Sequence, residues 1–164
     1  MAWWQQSWRA DPRARRLADR HYNRQSPGAT QFAPAGSCVV FRHADDAVWC
    51  TSWPEFAQHA WAGAWVNSLF RNESDRLSSA AITEAVSHTL AHYGEPPELG
   101  MVTFVDAEKV RPKRDPGYCY LKAGFAHVGF TKGGLLAFQL LPAQMPVPAP
   151  ADPVQASLFA EVFA

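Results

Sequence analysis

The sequence has little cysteine, no long apolar run and no net charge, and each shortage removes a class of protein. Cys38, Cys50 and Cys119 are its three cysteines, an odd number, widely spaced and without a Cys-x-x-Cys pair. That argues against a disulfide framework and against a zinc knuckle, so reduced thiols are expected. No run of 18 apolar residues occurs, and Met1 to Arg16 mixes Trp with Gln and Arg instead of forming an apolar leader. The chain therefore reads as a soluble protein of the cell interior with no membrane partner. His21, His43 and His59, with Asp45 and Asp46, lack the spacing of a ligand set, and no metal is expected.

The 15 basic and 15 acidic residues cancel, but they are unevenly spread. Residues 1–24 hold six Arg against two Asp, residues 109–122 hold five Lys or Arg against one Asp, and the last 23 residues carry two acids and no base. Partners must therefore be argued region by region. Asp11-Pro12 is an N-cap and first-turn pair, and a basic helix is expected over 13–24, with Arg13, Arg16, Arg20 and Arg24 recurring at helical spacing. Lys109, Arg111, Lys113 and Arg114 form a second basic patch in a loop. The helix is either a solvated face whose tryptophans, Trp3, Trp4 and Trp8, pack on the core, or a phosphate-tracking face with those rings available to stack on bases.

What is present suffices for one domain, since 164 residues with 48% hydrophobic content can bury a core. Ser37 to His43 and Ala47 to Trp53 read as a hairpin turning through Asp45-Asp46, and Ala64 to Arg71 as a further strand. Ile82, Val86, Leu90 and Tyr93 then mark the buried stripe of a long helix that Gly94-Glu-Pro-Pro97 ends. Leu99 to Val105 is an apolar strand with Asp106 at its edge. Asp115-Pro-Gly117 offers a cap and first turn for a short helix over 118–123, which Gly124 closes. Strands over 125–132 and 135–141 form a last hairpin around Gly133-Gly134. The expected fold class is α/β (α+β), with a mixed, mostly antiparallel sheet and helices on both faces. Residues 1–36 supply a basic helix and a cleft-lining loop, 37–141 the core of the same domain, 142–153 a proline-rich linker and 154–164 a C-terminal peptide.

Tyr120-Leu-Lys-Ala-Gly-Phe125 resembles the Tyr-x-Lys-x-Gly-Phe signature near the C-terminal end of the GNAT acyltransferase fold. The element order over roughly 37–141 is similar too. The resemblance implies acetyl-CoA or another acyl-CoA as donor, and a Tyr120 that protonates the departing thiolate. It also implies a pyrophosphate-binding turn at the start of the long helix, which falls on Arg76, Leu77, Ser78 and Ser79. There the chain departs from the family pattern Arg/Gln-x-x-Gly-x-Gly/Ala, having no glycine; the plain alternative is that Ser78 only caps the helix.

His21-Tyr22, Ser68-Leu-Phe-Arg-Asn-Glu73, Asp106 and Tyr120 together resemble the Mom-type DNA-modification proteins of bacteriophages and prophages, a divergent GNAT-like branch that alters adenine in DNA and evades restriction. By that resemblance Tyr120 is a general acid or hydrogen-bond donor at the thioester. Asp106 is a base or orienter for the attacking exocyclic amine, and His21 and Tyr22 form a wall or proton path. Arg71, Asn72 and Glu73 line the cofactor cleft. The DNA partner would be gripped by the two basic patches and its base extruded or taken from a single strand, in the cytoplasm of a bacterial host cell.

Prolines at 142, 146, 148, 150 and 153 give a segment that extends as polyproline and reads as a spacer. Beyond it Gln155-Ala-Ser-Leu-Phe159 resembles the peptide that docks on bacterial sliding clamps, with Gln155 as polar anchor and Leu158 and Phe159 for an apolar pocket. The alternative is a small amphipathic helix folding back on its own domain. Two other functional readings stay open: an ordinary acyl-CoA-dependent N-acetyltransferase of a small or protein amine, and a catalytically inactive DNA- or clamp-binding module.

Overall fold

The computed structural model describes residues 1–21, 28–55, 57–109 and 115–153. In chain order its elements are β1 (Gln5–Gln6), α1 (Pro12–Asp19), β2 (Ser37–His43), β3 (Ala47–Trp53), β4 (Trp65–Asn72) and α2 (Ser78–Tyr93). Then come β5 (Met101–Val105), α3 (Tyr118–Lys122), β6 (Ala126–Phe130), β7 (Leu136–Leu140) and a 3-10 turn, Pro142–Gln144. One seven-stranded sheet runs β1-β2-β3-β4-β5-β7-β6. Every neighbouring pair is antiparallel except β4 and β5, which are parallel. The mixed α+β class with a mostly antiparallel sheet is thus the observed one.

Strand alternation divides the core between the two faces. Val39, Phe41, Ala47 and Trp49 point to the side covered by α2, where they meet Ile82, Val86, Trp65, Met101 and Phe138. Their neighbours Val40, Val48 and Cys50 point to the other side, against Ala14, Leu17 and Ala18 of α1. The stripe expected on α2 is buried through Ile82, Val86 and Leu90, with Tyr93 half-buried at the end.

α1 starts as its sequence directs. Asp11 Oδ1 accepts from Arg13 N at 2.9 Å and Pro12 occupies the first turn. The helix ends at Asp19, however, well short of residue 24, with Arg20 as its cap. Asp11 does more than cap: its Oδ2 accepts from Ser7 Oγ at 2.6 Å and from Arg42 Nε at 2.7 Å, and both Asp11 and Arg42 are buried. The Arg42 guanidinium finishes on Ala44 O at 2.7 Å. A cap at one end of α1 is therefore fused to an ion pair with the second strand.

The short helix α3 differs from expectation at its start and agrees at its end. Gly117, not Asp115, is the cap, in the left-handed region at φ 78°. A Cβ there would lie 2.3 Å from the Phe138 ring. At the other end Phe125 N bonds to Tyr120 O and Gly124 N to Leu121 O, the paired bonds of a Schellman closure around Gly124 at φ 98°. Gly117→Ala should cost about 2–4 kcal/mol, from the left-handed backbone and the displaced ring together. A thermal melt of the variant checks this.

The tryptophans bear on an open alternative, and the proline-rich stretch corrects a reading. Trp4 is fully buried, with Nε1 donating to Ala81 O at 2.9 Å, so it cannot stack on a base. Trp3 lies flat on His43 with ring centres 3.9 Å apart, under the Arg76 guanidinium. Both residues donate their backbone N–H to Glu84 Oε2, at 3.0 and 3.1 Å. Of the three, Trp8 is the exposed one, at 41%.

The stretch after the 3-10 turn is extended, as prolines require, yet it is not a free leash. Val147 O accepts from Ser87 Oγ at 2.6 Å, Ala149 O meets His88 Nδ1 at 2.6 Å, and Asp152 bridges to Gln5 of β1. Proline removes donors but keeps every carbonyl, and polar side chains of α2 use two of those carbonyls.

Candidate active site

The parallel pair β4/β5 is short. Only Trp65↔Met101, Val66↔Val102 and Asn67↔Thr103 are in register, although β4 continues to Asn72 and β5 to Val105. On its other side β4 pairs Asn67 with Thr51 and Leu69 with Cys50, leaving Ser68 as an extra residue. A bulge of this kind bends the strand and re-aims its side chains. Beyond Asn67 and Thr103 the two strands separate, and a cavity of about 170 Å³ occupies the gap. Asn67, Ser68 and Phe70 of β4 line it, with Thr103 and Phe104 of β5 opposite. Tyr120 and Cys119 of α3, and His21 beyond α1, complete the lining.

Asn67 is the hub of this gap. Its Nδ2 donates to Cys50 O at 3.0 Å and to Leu69 O at 2.9 Å, which uses both amide hydrogens and fixes the plane of the group. Its Oδ1 accepts the Tyr120 hydroxyl at 2.5 Å, with Thr103 Oγ1 at 3.4 Å. The tyrosine ring is wedged among Phe125, Phe138 and Phe70, at centroid distances of 5.4, 6.3 and 6.4 Å. The residue is buried, at 8% exposure, and belongs to the cavity lining. This arrangement holds one phenol, its proton directed onto a fixed amide oxygen, at the fork of two parallel strands.

The residues expected at the site are brought together in part. Tyr120 and His21 share the cavity lining; Tyr22 is outside the described residues. Asp106 follows the lining residue Val105 but is not itself in the wall, and its Oδ1 accepts from Glu108 N at 3.0 Å, which ties the carboxylate into the next turn. Arg71 and Glu73 are engaged in an ion cluster with Arg20: Arg20 grips Glu73 through two bonds of 2.9 Å, Arg71 also pairs with Glu73, and Arg71 NH1 donates to Arg20 O at 2.9 Å. Those hydrogen bonds, Arg20's first and then Arg71's, hold the Glu73 carboxyl down at about 2.

Asn72 organises the turn before α2. Its Oδ1 accepts from Ser74, and its Nδ2 donates to Arg76 O at 2.7 Å and Ser78 Oγ at 3.2 Å. The cap of α2 is Leu77, whose side chain makes no capping bond, and Ser78 is the first helical residue, not the cap. Arg76 bonds Glu84 Oε1 at 3.1 Å. A second, open cavity of about 500 Å³ lies on α2 between Arg76, Ser79, Thr83 and Lys122.

The first basic patch is less free than its sequence suggests. Arg13 pairs with Asp45 at 2.7 and 3.2 Å, and Arg20 with Glu73, whereas Arg16 is exposed. Arg24, Arg111, Lys113 and Arg114 lie outside the described residues, as do Gln155, Leu158 and Phe159; Lys109 is exposed. Among the described residues no helix is long and apolar enough to cross a membrane, and no three His, Cys, Asp or Glu side chains converge as metal ligands.

Comparison with protein-family models, curated proteins and solved structures finds no match to this chain. The site must be judged on its own chemistry. The residues that sequence reasoning passed over are Asn67 and Thr103. Their signal was available, because each is a polar residue within the inner, mainly apolar part of its strand, and buried polar groups require partners.

Proposed function

We propose that the protein is a GNAT-like, Mom-type transferase that modifies an exocyclic amine of a DNA base, of the adenine type, and so protects DNA from restriction in the cytoplasm of a bacterial host. The observation that carries this reading is the Tyr120 hydroxyl held on Asn67 Oδ1 at the fork of β4 and β5. A gap between parallel strands suits a narrow chain such as the arm of an acyl-CoA, because strand backbone beyond the fork is not paired across it. Arg76, Ser79 and Lys122 around the larger cavity would hold the donor's phosphates. When bound, the donor supplies an acyl group activated as a thioester.

The chain's own contribution is positioning and proton control. The amide of Asn67, fixed by two carbonyls, sets the phenol of Tyr120 without a cost of reorganisation during reaction. An aromatic exocyclic amine is a weak nucleophile, so orientation matters more than a strong base. His21, in the cavity wall, would give the amine's proton a path out, and Asp106, next to the lining residue Val105 and tied to Glu108 N, would serve as an orienter. Arg16 and Lys109 remain as surface cations for the DNA backbone, and Gln155, Leu158 and Phe159 as a tether to a sliding clamp.

A second reading has its own support. Arg13 and Arg20 spend their charge on Asp45 and Glu73, which takes two cations from the DNA grip and favours an N-acetyltransferase of a small amine. Mass spectrometry of nucleosides from DNA of cells expressing the wild type or Tyr120→Phe separates the two. A modified nucleoside present only with the wild type supports DNA modification. An unchanged profile together with acyl-CoA turnover on small amines supports the second reading, and binding to DNA or clamp without product would leave a binding module.

A further inference from the structure

The three cysteines stand in unlike surroundings. Cys119 is in the cavity wall, and burial pushes its thiol up. Cys38 on β2 and Cys50 on β3 lie on the α1 side of the sheet, where the register Cys38↔Ser52 and Val40↔Cys50 sets them diagonally across two adjacent strands. Cys38 packs against the cluster that contains Cys50. It is half-buried, and the Arg9 guanidinium donates to its Sγ at 2.9 Å while also reaching Gly36 O. Cys50 behind it is fully buried.

We propose that Cys38 and Cys50 are a reversible dithiol that hydroperoxides oxidise, with Cys38 the attacked thiol and Cys50 the resolving one. The Cys38 sulfur attacks a peroxide oxygen, the O–O bond breaks, an alcohol or water leaves after taking a proton, and a sulfenic acid forms on Cys38. The Cys50 thiol then gives up its proton, its sulfur attacks the Cys38 sulfur, the S–O bond breaks and water leaves. In sum two thiols and one hydroperoxide become one disulfide, one alcohol (or water) and one water, a two-electron change.

The local chemistry supports that division of labour. A hydrogen bond with the Cys50 thiol draws the Cys38 thiol below its ordinary range against the effect of burial, and Arg9 adds to it. The same bond, then burial, pushes Cys50 up, which makes the outer sulfur the more readily ionised of the two. Tyr93, whose hydroxyl meets Ser37 Oγ at 2.7 Å, is a further titratable neighbour among the described residues. Thiolates, not thiols, are the nucleophiles toward peroxide.

Diagonal cross-strand neighbours are farther apart than an unstrained disulfide prefers, so the bond would be easily reduced. It would also act at a distance. Cys50 O is one of the two carbonyls that fix Asn67, and the register of β3 against β4 shifts between Cys50 and Thr51. Drawing Cys50 toward β2 loosens the amide that positions Tyr120.

The full chain, reduced and then treated with stoichiometric hydrogen peroxide, is alkylated with iodoacetamide and mapped by mass spectrometry without reduction. The expected result is loss of two of the three thiols, an intramolecular link between the Cys38 and Cys50 peptides, its reversal by dithiothreitol, and an alkylated Cys119. Cys50→Ser should leave a sulfenic acid on Cys38 that dimedone traps. Cys38 should also alkylate at a lower pH than Cys119. Unlinked Cys38 and Cys50 in the peroxide-treated wild type, links only between molecules, or Cys119 consumed first would each overturn the proposal. None of these readouts depends on transferase activity.

Discussion

Tyr120→Phe is expected to lower product formation about 10²- to 10⁴-fold, the usual worth of a positioned proton donor, while the fold survives. The substitution removes one oxygen. The ring keeps its packing against Phe125 and Phe138, and Thr103 Oγ1 stays near the Asn67 Oδ1 that loses its donor. Leaving that oxygen partly unsatisfied should cost about 1–2 kcal/mol of stability, small beside the loss of activity. Asn67→Ala makes the contrast: it strands the Cys50 and Leu69 carbonyls as well as the phenol, so both stability and activity should fall. Nucleoside mass spectrometry and thermal melts, run on both variants, distinguish a chemical role from a structural one. If Tyr120→Phe retained full activity, the hydroxyl would be no more than a partner for Asn67.

Asp11→Ala should destabilise the protein by about 3–5 kcal/mol, because it leaves the buried Arg42 guanidinium without its counter-charge. Loss of the α1 cap is included in that figure. Burial pushes the Asp11 carboxyl up, but bonds from Ser7, Arg42 and the Arg13 amide outweigh it and leave the group below its ordinary 3.8. A carboxyl lowered in the folded state contributes stability above its unfolded value and surrenders it as pH falls through the folded one. The wild type should therefore lose stability below about pH 4. Glu73 adds to the same trend between 4.5 and about 2, though its cluster is partly exposed and contributes little. Asp11→Asn, titrated by denaturant unfolding at several pH values, should start less stable and show a flatter acid limb.

Much of this was legible because it depends on neighbours in the chain. The alternation of Val39 to Phe41 and Ala47 to Cys50, the four-and-three spacing on α2, and the glycine that closes α3 each produce their element through local geometry. The short helix was legible the same way, whereas Tyr120 itself stood out through the resemblance of Tyr120-Leu-Lys-Ala-Gly-Phe125 to a family signature. Local rules also misled. Asp115 has the chemistry of a cap, but Gly117 takes the position where the chain must turn left-handed beneath Phe138. A run of arginines looked like a free basic face, yet Arg13 and Arg20 meet acids 32 and 53 residues away. Five prolines looked like a spacer, although α2 holds the carbonyls between them.

By itself the order of residues determined most of the strands and helices, which of their faces are apolar, and that a tyrosine helix lies between the Met101–Val105 strand and the last hairpin. Periodicity and backbone stereochemistry act within a few residues, so they can be read along the chain. Only the tertiary structure decided that β4 and β5 part after three paired residues, that Ser68 bulges, and that Asn67 turns its oxygen to Tyr120, 53 positions away. Those features come from satisfying buried polar groups across the sheet, and a buried amide takes its partners from whichever strands packing has brought alongside it.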